Sequence, residues 1–447
     1  MARRNEDFDE FCDPNNPRTI TYEDVLKAQE RTKKYLSSET PLIRSHHHKT
    51  FGINIYYKLE TVLSTGSFKE RGAINALEQL KPNKRKIGVV VASLGNQAMG
   101  ICYHGRKLGI PVTVVMPTSS PITKIQHNIH LGGKVQILGN NLMESQRAAR
   151  LIARDKGLTY INGRDHPHIL AGYGTIALEI LNQLPIVDAI IVPVGSGGLI
   201  AAIAAVIKHV KPECLIYGVQ PEMVPTFFKS LEMGERVTQP WHTTCGYAIA
   251  MPNIGVNAFH TAKPLIDKML LVNEDWATLA LLHLVEEERL VVEGAAAFPL
   301  ASIIGNLVPE LKTKNVVCIL SGGNIDVTLM GRILDRARAS QGRLVKFKVG
   351  IRDASPAYQK LFKLIADRGY NLLRFFTDRV WVENDIYKVE VKLVCETRDL
   401  EHALELKRLV EDEYKNAIFE TAPFNDKFVC PCYIKKCNQS QNQKCSK

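Results

Sequence analysis

The segment Thr65-Gly-Ser-Phe-Lys-Glu-Arg-Gly-Ala73 sets a lysine directly after a Ser-Phe pair, where an alternating strand pattern gives way to a helical one. A lysine amine acts as a nucleophile or base only when neutral. Burial at a helix start, beside an aromatic ring such as Phe68, lowers its pKa toward that form. A lone helical lysine ordinarily packs only its stem and keeps its charge in water, so Lys69 acquires meaning from what could be brought against it.

Pro193-Val-Gly-Ser-Gly-Gly-Leu-Ile-Ala201 follows an apolar strand and opens a helix. Its glycines let backbone N–H groups converge at a helix N-terminus, where the dipole favours an anion. No Gly-Lys-Ser/Thr follows and the spacing is not that of a dinucleotide fingerprint, so a single phosphate monoester fits. Ala92-Ser-Leu-Gly-Asn-Gln-Ala98 and Ser321-Gly-Gly-Asn-Ile325 repeat the strand-to-loop arrangement. Loops at the carboxyl ends of strands are where open α/β sheets hold ligands. Together they describe a phosphate-bearing cofactor lying across a sheet and joined to a lysine.

These segments, in this order and spacing, resemble the fold type II pyridoxal-phosphate enzymes of the threonine dehydratase and serine racemase family, from about Ile20 to Arg338. The resemblance implies that Lys69 carries pyridoxal 5'-phosphate as a Schiff base and returns as the catalytic base. It implies that Phe68 packs on the pyridine ring and that Asn96 bonds the cofactor 3′-oxygen. Gly195, Ser196, Gly197, Gly198 and Leu199 match the phosphate loop, and Ser321 matches the partner of the pyridine nitrogen. Ser93, Leu94, Asn96 and Gln97 are expected to hold the substrate carboxylate. The implied activity is L-threonine/L-serine ammonia-lyase, a β-elimination giving 2-oxobutyrate or pyruvate plus ammonia. Serine racemisation, β-replacement, and a catalytically weak amino-acid sensor are the alternatives.

The sequence departs from the family pattern at identifiable places. Leu94 stands where the racemase has a proton-donating serine, which favours elimination. Gln97 replaces the usual His, and Met99 replaces Gln. Gln220 and Thr226 occupy the places of two cation-ligating acids, and loss of ligand charge weakens a hard-cation site; no metal is expected there. Glu293-Gly-Ala-Ala-Ala-Phe298 resembles a pocket wall of the family and reads equally as a helix start with a stabilising acid. The adjacent loop histidines His46, His47 and His48 are not expected to share a metal.

The elements that must position these residues read as an α/β fold. Ile53–Leu59 alternates as a half-buried strand. Ile87–Ala92, Val112–Met116, Val135–Leu138, Ala189–Val192 and Val316–Leu320 are apolar runs suited to strands covered on both faces. Helical patterns such as Ser145–Arg154 and Leu199–His209 alternate with them. The expected architecture is two open α/β domains with the cofactor between them. The larger comprises 20–86 and 164–340, the nested smaller one 87–163, and 1–19 is an N-terminal extension. From 341 to 420 the order strand, helix, two strands, helix and a last short strand describes a ferredoxin-like module that resembles an ACT domain. Its strands are expected at Leu344–Ile351, Tyr370–Phe376 with Trp381–Val382, Ile386–Val394 and Ala417–Phe419. Asp353-Ala-Ser-Pro-Ala357 lacks the usual turn glycine, so a homo-oligomer-forming role is expected to survive better than binding of an amino-acid effector.

Composition bounds the rest. The 447 residues carry a net charge of +11 without a long basic block, which reads as a solvated basic surface rather than a nucleic-acid site. No apolar run approaches the ~18 residues of a membrane span, and the first residues lack the apolar core of a signal peptide. A cytoplasmic protein without a membrane partner is expected. Six of the ten cysteines sit singly, as reduced thiols do. Cys430, Cys432, Cys437 and Cys445 crowd a tail, 421–447, that is expected to lack fixed structure.

Overall fold

A computed structural model of the chain describes residues 9–420 apart from Ser37, His47, Leu94, Glu383 and Asn384. The cysteine-bearing tail and the Leu94 position therefore lie outside the described residues. One compact unit comprises the chain up to Ala277 together with Leu284–Asp326; a second comprises Thr278–His283 and the chain from Val327 onward.

The first unit contains the strands β1 (Leu42–Arg44), β2 (Asn54–Leu59), β3 (Val89–Ala92), β4 (Val112–Met116) and β5 (Lys134–Ile137). It continues with β6 (Thr159–Tyr160), β7 (Ala189–Pro193), β8 (Leu215–Pro221), β9 (Lys268–Val272) and β10 (Asn315–Leu320). They form a six-stranded sheet in the order β1-β2-β10-β7-β8-β9 and a four-stranded sheet in the order β5-β4-β3-β6. Every pairing is parallel except β1 with β2. The fully buried apolar strand β7 is covered by helices Gly198–Val210 and Gly294–Ile304, as a parallel sheet requires.

Two expectations about strands are corrected. The run at Val135 was expected to be covered on both faces. Instead β5 is an edge strand, and Ile137 and Leu138 are about two-fifths exposed. The alternating β2 is buried almost throughout its second half, and even Lys58 is fully buried. Lys58 remains inside because Nζ donates to Glu179 at 2.6 Å, to the Thr40 carbonyl at 2.7 Å and to Gln183 at 2.9 Å. Burying a charge requires such a set of partners.

The second unit carries β11 (Leu344–Arg352), β12 (Asn371–Asp378), β13 (Lys388–Glu396) and β14 (Ile418–Phe419), with helices Ser355–Ala366 and Leu400–Glu413. The sheet order is β12-β13-β11-β14, all antiparallel, the ferredoxin-like arrangement. Alternate residues of β11 and β13 pack with Leu361, Ile365, Leu406 and Val410 of the two helices into one core. Trp381–Val382 is not strand. Asp378 Oδ1 accepts the backbone N–H groups of Val380 and Trp381, turning the chain out of β12 and leaving Trp381 exposed. Among the described residues no helix is long and apolar enough to cross a membrane.

Candidate active site

Lys69 begins the helix Lys69–Glu78. That helix is fixed in the interior by Arg71, whose guanidinium meets Glu60 at 2.7 and 2.9 Å, Glu179 at 2.5 and 2.8 Å, and the Thr40 hydroxyl at 3.1 Å. With Lys58 these residues form a buried cluster of two cations and two carboxylates. Its charges balance, which is the condition for keeping it out of water. The other end of the Lys69 segment is tied to the end of β10. The Phe68 N–H donates to the Ser321 carbonyl at 3.0 Å, and Ser67 bridges Gly322. Sequence-distant motifs are thus brought together by backbone hydrogen bonds.

Around Lys69 lies a cavity of about 180 Å³, lined by Phe68, Ser93, Asn96, Gln97, the loop Gly195–Leu199 and Ser321. Every described residue assigned to the site from sequence is therefore in one place. Burial lowers the Lys69 ammonium to about 7; nearby Glu293 opposes the shift and Arg164 adds to it. Nζ lies 3.1 Å from the Tyr173 hydroxyl, and 4.7 and 4.8 Å from the centres of the Phe68 and Tyr173 rings.

The loop after β7 has the shape of a cradle for an anion. Gly197 caps the Gly198–Val210 helix at φ +95°, and a Cβ there would lie 2.2 Å from the Phe227 ring. A Cβ on Gly198 would lie 2.6 Å from the Leu170 side chain. Side chains are excluded at these two positions, and the loop lines the cavity at the N-terminus of a helix, where backbone N–H groups favour an anion. With a depressed lysine and this loop in one cavity, the residues fit pyridoxal phosphate: Lys69 to hold its aldehyde carbon and 195–199 its phosphate.

Asn96 is held by its amide from two sides. Its Nδ2 donates to both carboxylate oxygens of Glu293 at 3.2 and 3.0 Å, and its Oδ1 accepts from Asn324 at 2.9 Å. Ser93 Oγ accepts the Gly95 N–H at 3.2 Å. Gln97 Oε1 accepts from Tyr173, while its buried Nε2 has no hydrogen-bond partner, an orphan donor beside the cavity.

Glu293, open between two readings in the sequence, stands just before the helix Gly294–Ile304 without a side-chain capping bond, and its carboxylate lines the cavity instead. Burial raises its carboxyl above the usual range, partly offset by Asn96, Lys124 and Lys69. Sequence reasoning missed Tyr173, Arg164 and Lys124, which also line or border the site. The available signal for Tyr173 was its setting between Gly172 and Gly174 inside an apolar helix, since such glycines mark close packing. Gln220 lies away from this cavity; its Oε1 accepts the N–H groups of Phe227 and Phe228, both at 3.0 Å.

Residues 34–322 match the family described as pyridoxal-phosphate dependent enzyme. The chain is 36% identical over 391 residues to the L-threonine ammonia-lyase of Thermotoga maritima, covering 88% of this chain and 97% of that one. It is 38% identical over 388 residues to the L-threonine ammonia-lyase of Geobacter sulfurreducens, covering 87% and 96%. Among solved structures it resembles processed threonine deaminase isoform 2 of Solanum lycopersicum, with a TM-score of 0.68 and 31% identity over 72% of this chain and 91% of that one. Serine racemase of Dictyostelium discoideum gives 0.64 and 30%, over 69% and 100%.

Proposed function

Because the chain belongs to the family of pyridoxal-phosphate dependent enzymes, we propose that it is an L-threonine/L-serine ammonia-lyase, releasing 2-oxobutyrate or pyruvate and ammonia. The observation that carries this reading is the buried Lys69 amine, lowered to about 7, in the same cavity as the glycine-rich loop Gly195–Leu199.

Pyridoxal phosphate, when bound, supplies an electron sink that acidifies the substrate Cα–H. The chain supplies the rest. Lys69 would hold the cofactor at Nζ and, as a free amine, would take the Cα proton. Backbone N–H groups of Gly195, Ser196, Gly197, Gly198 and Leu199 would hold the phosphate. The Phe68 ring flanks the amine and keeps water from it. Ser321, a hydroxyl rather than a carboxylate, is the proposed partner of the ring nitrogen and cannot hold it protonated as an acid would. Gln97 Nε2 is the proposed donor to the substrate carboxylate, supported by its lack of any other partner. Leu94 has no proton to deliver to the opposite face, which supports elimination over racemisation.

The proposal extends to assembly as a homo-oligomer through the second unit, supported by the open edge of β12, where Phe375 and Phe376 are 52% and 62% exposed. Residues 341–420 are read as an ACT-like regulatory module, supported by the ferredoxin-like strand order.

Purified protein reduced with borohydride and digested should yield a cofactor-labelled peptide containing Lys69, and L-threonine should be converted to 2-oxobutyrate. Label on another lysine, or coloured protein without turnover, rejects the reading.

A further inference from the structure

Tyr173 belongs to none of the motifs from which the site was read. Its ring is fully buried on the helix Pro167–Gln183, and the protein makes room for it deliberately: a Cβ on Gly72 would lie 2.6 Å from the Tyr173 ring. The Phe68 ring meets it edge to face, with centroids 4.7 Å apart. Packing from these sides brings the hydroxyl to 3.1 Å from Lys69 Nζ, 3.1 Å from Gln97 Oε1 and 3.2 Å from the Gly163 carbonyl.

A phenol has one proton and two lone pairs. The Gly163 carbonyl is an acceptor in every arrangement, whereas the amine donates whether neutral or charged. Gln97 Oε1 is an acceptor as well, so the single phenol proton goes to one of these two oxygens and the phenol oxygen accepts an N–H of Lys69. Burial raises the phenol well above its ordinary pKa, so that proton stays in place.

We propose that Tyr173 is a catalytic residue of the deamination reaction, its hydroxyl accepting an N–H of Lys69 so that the amine lone pair is aimed at the substrate and the ammonium it becomes is stabilised. The inference rests on the ammonia-lyase reading. In the step concerned, the substrate Cα–H bond breaks and a new N–H bond forms on Lys69. The bonding electrons stay with the substrate and spread into the cofactor, and Tyr173 neither gains nor loses a proton. A hydrogen bond to a charged donor is about twice as strong as one to a neutral donor, so the contact strengthens as the proton arrives.

Tyr173→Phe tests this, because it keeps the ring in the Gly72 slot and removes only the oxygen. In protein freed of cofactor, the pH dependence of Lys69 acylation, read by peptide mass spectrometry, should move to lower pH by half a unit or more, since the ammonium loses an acceptor. In the holoenzyme, kcat for 2-oxobutyrate formation should fall about 10- to 100-fold, the usual range for a lost hydrogen bond to a charged group. KM for threonine should change much less. An unmoved acylation midpoint with kcat within twofold of the parent overturns the proposal. So does a loss of activity accompanied only by a lower melting temperature, which would assign Tyr173 to packing. If the parent protein makes no 2-oxo acid while the midpoint still moves, the Tyr173–Lys69 coupling stands and the ammonia-lyase reading fails.

Discussion

Asn96 spans the cavity to Glu293, one carboxamide nitrogen donating to both carboxylate oxygens at 3.2 and 3.0 Å. The loop after β3 is thereby tied to the start of the helix Gly294–Ile304. Gly322 allows the approach, since a Cβ there would lie 2.9 Å from Glu293 Oε1.

Glu293 raises the Lys69 pKa by its charge, against the stronger lowering by burial. Glu293→Gln keeps an acceptor for Asn96 and removes the charge, so the Lys69 ammonium is destabilised. The acidic limb of kcat for 2-oxobutyrate formation should shift to lower pH. Glu293→Ala additionally leaves Asn96 without its acceptor and should lower kcat/KM about 10- to 100-fold. An acidic limb that does not move in Glu293→Gln would dissociate the carboxylate from the base.

Lys69 itself should leave a signature in stability. Its pKa is about 7 in the folded chain and 10.5 ordinarily, so between those values the unfolded chain binds more protons than the native one. By linkage, stability from this group rises with pH across that window and is lowest below about 7, where an ammonium must be buried. In cofactor-free protein, urea midpoints at pH 7 and pH 9.5 should differ more for the parent than for Lys69→Met. Equal differences would place Lys69 in water.

Much of this site was legible because each motif is a loop following a strand, and strand and loop types are written locally. Lys69, Phe68 and the Gly195–Leu199 loop could be named from their own neighbours, and Gln97 through the family resemblance. What could not be read was pairing across the chain. That Asn96 spends its amide on Glu293, or that Tyr173 reaches Lys69, depends on how helices pack, and no local pattern encodes it. The short strands β1 and β6, of three and two residues, escaped for a related reason: they exist only by pairing with β2 and β3. The same holds for Lys58, which alternation marked as solvent-facing and which Glu179 and Thr40 retain inside.

The buried cluster beneath the Lys69 helix offers a stability test. Arg71→Met would leave Glu60 and Glu179 with only Lys58 to balance them, and breaking a buried pair from one side costs about 3–5 kcal/mol. Arg71→Lys should recover little, because one ammonium cannot reproduce the forked contacts to both carboxylates. Urea denaturation with cofactor absorbance as a second readout checks this: both variants should lose stability, and cofactor content should fall as the helix carrying Lys69 loosens. A fully stable, fully loaded Arg71→Met would show that the cluster does not anchor the helix.

The open edge of β12, proposed as the contact between copies of the chain, has a charge pattern that would suit such pairing. Arg374, Phe376 and Asp378 stand opposite Val394, Lys392 and Glu390 of β13 and so share one face of the sheet. An antiparallel copy of β12 related by a two-fold axis through Phe376 would set Arg374 against the partner's Asp378 twice, and Phe376 against its own copy. It would also place a cation beside Asp378, which now faces Glu390 across the strand pair. Opposite charges paired across strands are favourable and like charges are not, and an exposed apolar edge strand seeks pairing. In light scattering of the full-length protein, Arg374→Asp and Asp378→Arg should each halve the particle mass. The double exchange should restore it, because the opposed charges are merely reversed. If each single substitution left the mass unchanged, or if the double failed where the singles had acted, β12 would not be the edge through which copies of this chain meet.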